Sequence, residues 1–346
     1  MAFRFARHRP EEWWPRLNNQ PRRALVVTGP GSVLLEERPP AGSKPGEVVV
    51  TPLIVGLCGT DLEIIDGNID PAYVSYPLAL GHEWCGLLSG DDHQLIVAEG
   101  VVPCGHCGRC REGRTNLCET YEEVGFTRDG AAADEVVVPR DVVHLLGEHV
   151  DRSAAALVEP MAVVYQGLAR ARPQPGWRVL VIGDGTIGLL SALLARLFSP
   201  ARVDLVGARP AQEELALSAG VDSFGLTTSR APAGYDLVIE AAGSSQAAVM
   251  AVEAARRGGT VVLLGLPPHG ETAIVAIDKV VNGDLAVHAS FSYSSSAFAA
   301  AATLLDAGAV DPSFLVTHRF PLEEWSAAIE TLRRPSGVRG KVVLEI

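Results

Sequence analysis

Four cysteines stand close together at spacings that suit a metal ion. Cys104, Cys107, Cys110 and Cys118 form the pattern C-x2-C-x2-C-x7-C, with a glycine in each of the two short gaps. A tetrahedral Zn2+ binds four thiolates at about 2.3 Å, and short gaps with glycine let one tight loop turn several sulfurs inward. Four protein ligands leave no open position, so the pattern predicts a structural zinc. Two disulfides or an iron–sulfur cluster are the alternatives.

A second group could hold a metal that keeps one open position. Cys58 lies in VGLCGTD, and His82 follows 24 residues later, next to Glu83, in GHEW. A thiolate, an imidazole and a carboxylate occupy three positions of a tetrahedral zinc and leave the fourth for water or substrate. A lone cysteine is more often a small core residue, and we assign Cys85 to the core on that ground.

A glycine-rich turn predicts a nucleotide site. The run GDGTIG follows a Val-rich strand and precedes an apolar helical segment, which is the context that a dinucleotide-binding turn requires. Glycines permit the tight turn and the close approach of a pyrophosphate, whose charge the N–H groups of the helix N-terminus receive. A turn without a ligand is the alternative. The predicted cofactor contacts here are Gly183, Gly185, Thr186, Ile187 and Gly188, with Gly265 and Leu266 at the end of a later strand.

The end of the next strand bears on the choice between NAD and NADP. An acid there would bind the ribose 2′-hydroxyl of NAD, but the run VDLVGARP places Gly207 and Arg209 at this point. An arginine can pair with a 2′-phosphate, and a missing carboxylate removes the repulsion that would exclude it. Asp204 lies inside the strand, too early for the acidic role. The sequence therefore predicts NADP(H) rather than NAD(H), with a solvated surface charge as the alternative for Arg209.

Two kinds of pattern carry these residues. From Ala24 onward, short Val-rich runs broken by Gly, Pro and Asp predict an antiparallel, barrel-like β domain. From residue 178, strands alternating with Ala-rich helical stretches predict a doubly wound parallel sheet, so the fold class is α/β. Between them, SAAALVEPMAVVYQGLARA predicts a helix interrupted at Glu159, because a residue before proline avoids the α region.

The length of 346 residues, 47% of them hydrophobic, allows two domains with their own cores. We expect residues 1–20 to form an N-terminal extension. Residues 21–170 and 297–346 are expected to form a metal-binding catalytic domain, to which the C-terminal strand returns. Residues 171–296 are expected to form the coenzyme-binding domain.

Composition argues against two classes of partner. The net charge of −12 disfavours a phosphate-binding surface, and with it a nucleic-acid zinc module. No run of about 18 apolar residues exists, so no membrane span is expected. No apolar segment follows the N-terminal charges as it would in a secretory signal, and a cytoplasmic location is therefore expected.

From about Ala24 to the C-terminus the chain resembles the zinc-dependent medium-chain dehydrogenase/reductases, which include alcohol, sorbitol, threonine and glucose dehydrogenases. The motifs GLCGTD, GHE, the four-cysteine lobe, VEP and GDGTIG stand in that family's order. The resemblance implies a GroES-like β-barrel-type catalytic domain and a Rossmann-like coenzyme domain, with zinc and nicotinamide in the cleft between them.

The resemblance also implies roles for individual residues. Cys58 and His82 would be ligands of the catalytic zinc, and Glu83 or Glu159 would supply the carboxylate or hold the zinc-bound water. The remaining positions are those of a proton relay and its surroundings. Thr60 matches the hydroxyl that takes the substrate proton, Asp61 matches an acid that orients the imidazole, and Glu63 stands where several branches have a histidine that ends the relay.

The function implied is hydride transfer between NADP(H) and a secondary alcohol or ketone, with two zinc ions per chain and a homodimer or homotetramer. The motifs are most similar to those of the polyol, sugar and cyclitol dehydrogenases. Two alternatives stay open. One is an amino-alcohol or aldehyde enzyme of the threonine dehydrogenase type, and the other is a non-catalytic NADPH-binding protein, for which an open zinc position has no chemical use.

Overall fold

The computed structural model describes residues 21–91, 93–227, 233–334 and 336–346, so the predicted extension at residues 1–20 lies outside it. The strands in the first part of the chain are β1 (Arg22–Gly29), β2 (Ser32–Arg38), β3 (Glu47–Leu57), β4 (Leu78–Ala79), β5 (Glu83–Leu88), β6 (Leu95–Ala98), β7 (Val101–Val102), β8 (Glu122–Glu123), β9 (Val136–Pro139) and β10 (Val143–Leu145). The later strands are β11 (Arg178–Ile182), β12 (Arg202–Gly207), β13 (Ser223–Leu226), β14 (Tyr235–Glu240), β15 (Ala255–Leu263), β16 (Ala286–Ala289), β17 (Val316–Pro321) and β18 (Lys341–Glu345).

The α-helices in the described residues connect these strands. They are α1 (Gly59–Asp66), α2 (Gly108–Arg111), α3 (Arg152–Ala155), α4 (Val158–Ala171), α5 (Thr186–Ala195), α6 (Glu213–Ser218), α7 (Ser245–Ala254), α8 (Ile277–Asn282), α9 (Ser295–Asp306) and α10 (Trp325–Arg333). None of them is long and apolar enough to cross a membrane.

The coenzyme half is a six-stranded parallel sheet in the order β13-β12-β11-β14-β15-β16. Its central strand β11 is buried from Val179 to Ile182, because helices cover both faces of a parallel sheet. The chain order reverses at β11, where β12 lies on one side and β14 on the other. The carboxyl ends of strands at such a reversal form a crevice that binds ligands. The predicted doubly wound sheet is confirmed.

The catalytic half contains a mostly antiparallel sheet in the order β10-β6-β5-β3-β18-β17, with β9 also paired to β3. A smaller sheet has the order β2-β1-β4. The predicted β-rich half is confirmed, with one departure. Strands β17 and β18 are parallel because α10 crosses over between them, whereas a hairpin would have made them antiparallel.

The helical segment between the halves breaks two to three residues earlier than predicted. Helix α3 ends at Ala155 and α4 begins at Val158, which places Glu159 and Pro160 inside the first turn of α4. The predicted interruption at Glu159 is therefore wrong. The N–H groups of a first helical turn have no partner within the helix, so proline, which has no N–H, loses no hydrogen bond there. Pro160 is therefore compatible with the first turn of α4 and does not break it.

Helix α4 fixes the two halves against each other. It packs against β5 of the catalytic sheet, against α5, β15 and β16 of the coenzyme half, and against α9, which follows β16 in the chain. Its buried residues Val158, Met161 and Val164 belong to one core cluster that includes Ile54 of the catalytic sheet and Val181 of the coenzyme sheet. The start of α4, with Glu159, therefore lies where the two halves meet.

We expect Gly81→Ala to destabilise the protein by about 2–4 kcal/mol. Gly81 has φ +100°, and a Cβ there would lie 2.7 Å from Val55 Cγ1 and 2.8 Å from the Ala132 backbone nitrogen. The matched control is Gly42→Ala, which meets no atom within 4 Å. Urea unfolding measures both variants. Equal midpoints for Gly81→Ala and the wild type would contradict the assigned backbone conformation.

Candidate active site

The sequence LCGTD closes strand β3 and caps helix α1 with Cys58. The Cys58 sulfur accepts the Thr60 backbone N–H at 3.2 Å, and the Asp61 carboxylate accepts the Cys58 backbone N–H at 2.8 Å. This reciprocal cap satisfies two N–H groups that a helix N-terminus leaves unbonded. The Cys58 sulfur is therefore held in a fixed position at the N-terminus of α1.

His82 lies between Cys58 and Asp61. Its Nε2 is 3.2 Å from the Cys58 sulfur, and its Nδ1 is 3.5 Å from Asp61 Oδ1. Burial lowers the pKa of His82, but the Cys58 sulfur and the Asp61 carboxylate outweigh burial and raise the pKa well above its ordinary value. A carboxylate on one ring nitrogen leaves the other nitrogen free to bind a metal.

The three residues could hold a cation, since their ligand atoms all lie within 4.8 Å of one another. The geometry distinguishes their roles, because Cys58 and Nε2 of His82 face each other while Asp61 approaches the opposite ring nitrogen. Asp61 Oδ1 and His82 Nδ1 are both buried without a hydrogen-bond partner of ordinary length among the described residues. The donor set of thiol and imidazole fits zinc, and Asp61 is placed to orient the ring.

Glu83 points elsewhere, into a buried ion pair with Lys341. Both side chains are 4% exposed, and the Lys341 ammonium also donates to the Leu57 carbonyl at 3.4 Å. Gly56 makes room for the pair, since a Cβ there would lie 2.6 Å from Glu83 Oε2. The structure thus gives Glu83, a predicted ligand, a cationic partner outside the Cys58–His82 group.

The Glu159 carboxylate has no hydrogen-bond or ion-pair partner among the described residues. Burial, followed by repulsion from Glu83, raises the pKa of Glu159 to about 8, and His82 lowers it. An acid in this environment is stabilised by a nearby cation, so Glu159 could supply the third ligand of a metal at Cys58 and His82.

Three residues near this site carried no recognisable sequence signal. Lys341 stands in the C-terminal strand, Glu123 follows the cysteine lobe, and Tyr293 follows the coenzyme sheet. Burial raises the pKa of Glu123 to about 7, and the Tyr293 hydroxyl accepts the Gly100 N–H at 2.9 Å. They lie far apart in the chain, so only folding reveals that each interacts with charged groups of this site. Glu63, the predicted relay position, is exposed on α1.

The four-cysteine lobe is closed. Its sulfur atoms lie within 4.8 Å of one another, with separations of 3.5 Å for Cys107–Cys110, 3.9 Å for Cys104–Cys110 and 4.0 Å for Cys107–Cys118. All six cysteines are free thiols, and such separations are far longer than an S–S bond. Backbone N–H groups of His106 and Cys107 lower the pKa of Cys104 to about 6. Cys85, by contrast, is fully buried, which confirms its assignment to the core.

The glycine turn has the geometry of a nucleotide cradle. Gly185 caps α5, which begins at Thr186 and continues through Ile187, while Gly183 has φ +120° and a Cβ there would lie 2.7 Å from the Ala241 carbonyl carbon. A Cβ on Gly188 would overlap the Gly183 carbonyl oxygen. The turn leaves the helix N-terminus open to a pyrophosphate.

The end of strand β15 reaches the same edge. Gly265 lies against Gly243, which follows β14, so closely that a side chain would not fit, and Leu266 is 84% exposed beside it. These backbone segments and the glycine turn meet at the carboxyl ends of neighbouring strands, where parallel sheets bind nucleotides.

Arg209 makes an ion pair with Asp184 of the glycine turn. Its Nη2 lies 3.0 Å from Asp184 Oδ1, and Asp184 Oδ2 accepts the backbone N–H groups of Ala208 and Arg209 at 3.0 and 2.8 Å. A Cβ on Gly207 would lie 2.5 Å from the Asp184 Cβ. The end of strand β12 has no acidic residue of its own, as the sequence predicted, but the Asp184 carboxylate lies beside Gly207. Asp204 is instead buried and accepts the Tyr235 hydroxyl at 2.7 Å.

Two family models match consecutive parts of the chain. Residues 44–148 match the alcohol dehydrogenase GroES-like domain, and residues 152–345 match the glucose dehydrogenase C-terminus.

Whole proteins are similar over nearly the full length. An L-threonine 3-dehydrogenase of Saccharopolyspora erythraea is 32% identical over 93% of this chain and 98% of its own, and a sorbitol dehydrogenase of Bacillus subtilis is 28% identical over 89% and 92%. A solved structure of a proposed zinc-binding dehydrogenase from Sinorhizobium meliloti 1021, bound to NADP, is 27% identical with a TM-score of 0.87, over 94% of this chain and 100% of its own.

The fold, the paired sites and these similarities define a class. The chain belongs to the medium-chain dehydrogenase/reductase family, with a GroES-like catalytic half and a Rossmann-like coenzyme half. It is an oxidoreductase of the alcohol dehydrogenase type.

We expect Lys341→Met to lower the free energy of unfolding by about 3–5 kcal/mol, because it leaves the buried Glu83 carboxylate without its cation. The double variant Glu83→Gln/Lys341→Met should recover most of this loss. Arg334→Met is the control, since its ion pair with Glu330 is solvent-exposed and should contribute little. Denaturant unfolding measures all three, and a Lys341→Met protein as stable as the wild type would contradict the buried ion pair.

Proposed function

We propose that this protein is a zinc-dependent oxidoreductase that transfers hydride between NADP(H) and a secondary alcohol or ketone, with polyols, sugars or cyclitols as the substrate class. The observation that carries the proposal is the contrast between two cysteine sites. The lobe from Cys104 to Cys118 has four sulfur ligands and no open position, whereas Cys58 and His82 form an incomplete ligand set. His82 also interacts electrostatically with Glu159, a carboxylate that has no hydrogen bond or ion pair in the described chain. An open metal position is what a catalytic zinc needs.

The residues present fit two metals per chain. Cys58, His82 and Glu159 would hold the catalytic ion, and the cysteine lobe would hold the structural one. Between the two candidate carboxylates we favour Glu159, because Lys341 already neutralises Glu83. At the first site a bound zinc would supply Lewis-acid polarisation of the substrate oxygen, and a bound nicotinamide would supply the hydride acceptor or donor.

The chain's own residues hold the ligands and move the proton. Asp61 fixes the ring of His82, and the helix cap fixes the Cys58 sulfur. The Thr60 hydroxyl, two residues after Cys58, would receive the substrate proton at Oγ1. From there the proton leaves through water or toward the exposed Glu63.

Arg209 supports the preference for NADP(H). It lies at the carboxyl end of β12, the position that meets the adenosine ribose in this kind of sheet. One guanidinium edge binds Asp184, and Nη1 is buried without an acceptor among the described residues. The NADP-bound structure from Sinorhizobium meliloti 1021 is consistent with this preference.

Amino alcohols are the second candidate substrate class. Glu123 is partly buried, interacts electrostatically with His82, and has no hydrogen bond or ion pair to its side chain within the described residues. An ammonium group on a substrate would compensate such a carboxylate. The L-threonine 3-dehydrogenase relative agrees with this class.

We also propose the division into a catalytic part, residues 21–170 and 297–346, and a coenzyme part, residues 171–296, and association of copies through the coenzyme part. Strand β16 pairs only with β15 in the described sheet, and its outer side is open. Large apolar side chains are exposed on and around it, and these are Leu266, Ile274, Ile277, Val281, Val287 and Phe291. An open edge with exposed apolar side chains suits pairing with a second copy.

We expect the wild type to hold two zinc ions per chain by elemental analysis and Cys58→Ala to hold one. With the open-site metal gone, turnover should fall by about 1,000-fold or more. Cys107→Ala should also hold one zinc but should mainly lower the unfolding temperature. A panel of polyols, cyclitols and threonine assigns the substrate class. One zinc in the wild type, unchanged by Cys58→Ala, would contradict the catalytic metal.

We expect the protein to sediment as a dimer or tetramer and Val287→Lys to weaken association at least about tenfold, because it places a charge in the proposed apolar contact. Leu145→Lys is the control, since Leu145 is also exposed but lies on β10 in the catalytic half. Sedimentation velocity over a range of concentrations measures both. A wild type that stays monomeric, or dissociation by Leu145→Lys alone, would argue against this surface.

A further inference from the structure

We propose that Arg339 is a second cation of the site for the 2′-phosphate of NADP(H), reaching it from the C-terminal segment rather than from the coenzyme sheet. The inference rests on the NADP(H) preference proposed above and adds a residue that selects for it. Arg339 precedes strand β18 and lies more than a hundred residues from Arg209 in the chain, so no local motif links the two.

Gln212 ties Arg339 to the glycine turn. Gln212 is fully buried, and its Nε2 donates to the Asp184 carbonyl at 2.7 Å and to the Arg339 carbonyl at 2.9 Å. Its Oε1 accepts the Arg339 backbone N–H at 2.8 Å. One amide side chain therefore fixes the main chain of Arg339 against the residue that also binds Arg209. A buried amide with its donors and acceptor satisfied holds such a contact rigidly.

Both arginines have buried donors that lack an acceptor. Arg209 uses Nε and Nη2 on Asp184, which leaves Nη1 without an acceptor, while Arg339 uses Nη1 on the Leu332 carbonyl, which leaves Nε without one. No acceptor for either donor lies among the described residues. Buried donors on charged groups are costly when unpaired, and an anion that reaches both would satisfy them.

The charges of Arg209, Arg339 and Asp184 also favour binding of an anion here. Burial lowers the pKa of Arg339, the positive charge of Arg209 lowers it further, and Asp184 raises it. The two guanidinium groups are therefore close enough to repel, and one carboxylate offsets only one of them. A phosphate monoester carries nearly two negative charges and three acceptor oxygens at neutral pH, so it can bind both arginines.

The fold indicates which phosphate this is. Arg209 follows Gly207 at the carboxyl end of β12, where the adenosine ribose of a dinucleotide lies, whereas the pyrophosphate belongs at the N-terminus of α5. A phosphate bound between Arg209 and Arg339 would therefore be attached to the adenosine ribose. NAD(H) has a hydroxyl at that position and leaves the two donors unpaired.

The test compares adenosine 2′,5′-bisphosphate with adenosine 5′-monophosphate by calorimetric titration of the purified protein, since the two probes differ only in the 2′-phosphate. Loss of one charge-assisted contact should weaken binding of the bisphosphate about tenfold or more in Arg339→Gln and in Arg209→Gln. The affinity for the monophosphate should change less than about threefold in both variants. Arg257→Gln is the matched control, because Arg257 is exposed at the opposite, amino edge of the same sheet. NADPH and NADH titrations should show the same difference.

If only Arg209→Gln selectively weakens binding of the bisphosphate, Arg339 is not part of the 2′-phosphate site, and the NADP(H) preference stands. Equal weakening of both probes in Arg339→Gln would mean that Arg339 only supports the glycine turn, which overturns the inference. A wild type that binds both probes equally would overturn the NADP(H) preference and the inference together. Arg339→Gln loses the side-chain bond to the Leu332 carbonyl but keeps the backbone contact with Gln212, so the variant should still fold, and its unfolding temperature is measured beside the titrations.

Discussion

Lys341 is the one lysine or arginine that the described structure buries almost completely, and it lies among acidic groups. Asp61, Glu83 and Glu159 lie near the Cys58–His82 pair, and Lys341 makes its ion pair with Glu83 while its charge also acts on Glu159. Buried charges are stable only when a partner compensates them, so the arrangement needs further positive charge. A divalent cation between Cys58, His82 and Glu159 would supply it. The same constraint distinguishes the two carboxylates near the site, because Glu83 has a lysine partner and Glu159 has no ion pair in the described chain, which is why we propose Glu159 as the ligand.

Helix α4 explains why the cleft can combine residues from both halves. It begins beside β5, which follows His82, and continues along α5 and the coenzyme sheet. Its first turn carries Glu159, and Pro160 makes that turn a helix start. A rigid element shared by two domains places a side chain more accurately than a loop does, because its position is fixed by packing along its whole length. The C-terminal segment acts similarly at the nucleotide end, where Gln212 joins it to the glycine turn.

Much of this organisation could be predicted from the sequence, because its signals are local. The cysteine spacing requires a single tight loop, the run GDGTIG requires a strand and a helix on either side, and alternating strands and helices imply a parallel sheet. The wrong prediction of a helix break also came from a rule about neighbouring residues. The helix break was placed at Glu159 because proline restricts the residue before it, but proline in a first turn has no hydrogen bond to lose.

The sequence by itself determined the family, the two kinds of metal-ligand pattern and the position of the glycine turn, since each depends on residues a few positions apart. Only the tertiary structure decided which partners those residues have. It paired Glu83 with Lys341 across 258 positions, brought Asp184 beside Gly207, and placed Arg339 against the turn through Gln212. Ion pairs and buried hydrogen bonds form between groups that packing brings together, and one sequence without its fold does not specify that packing.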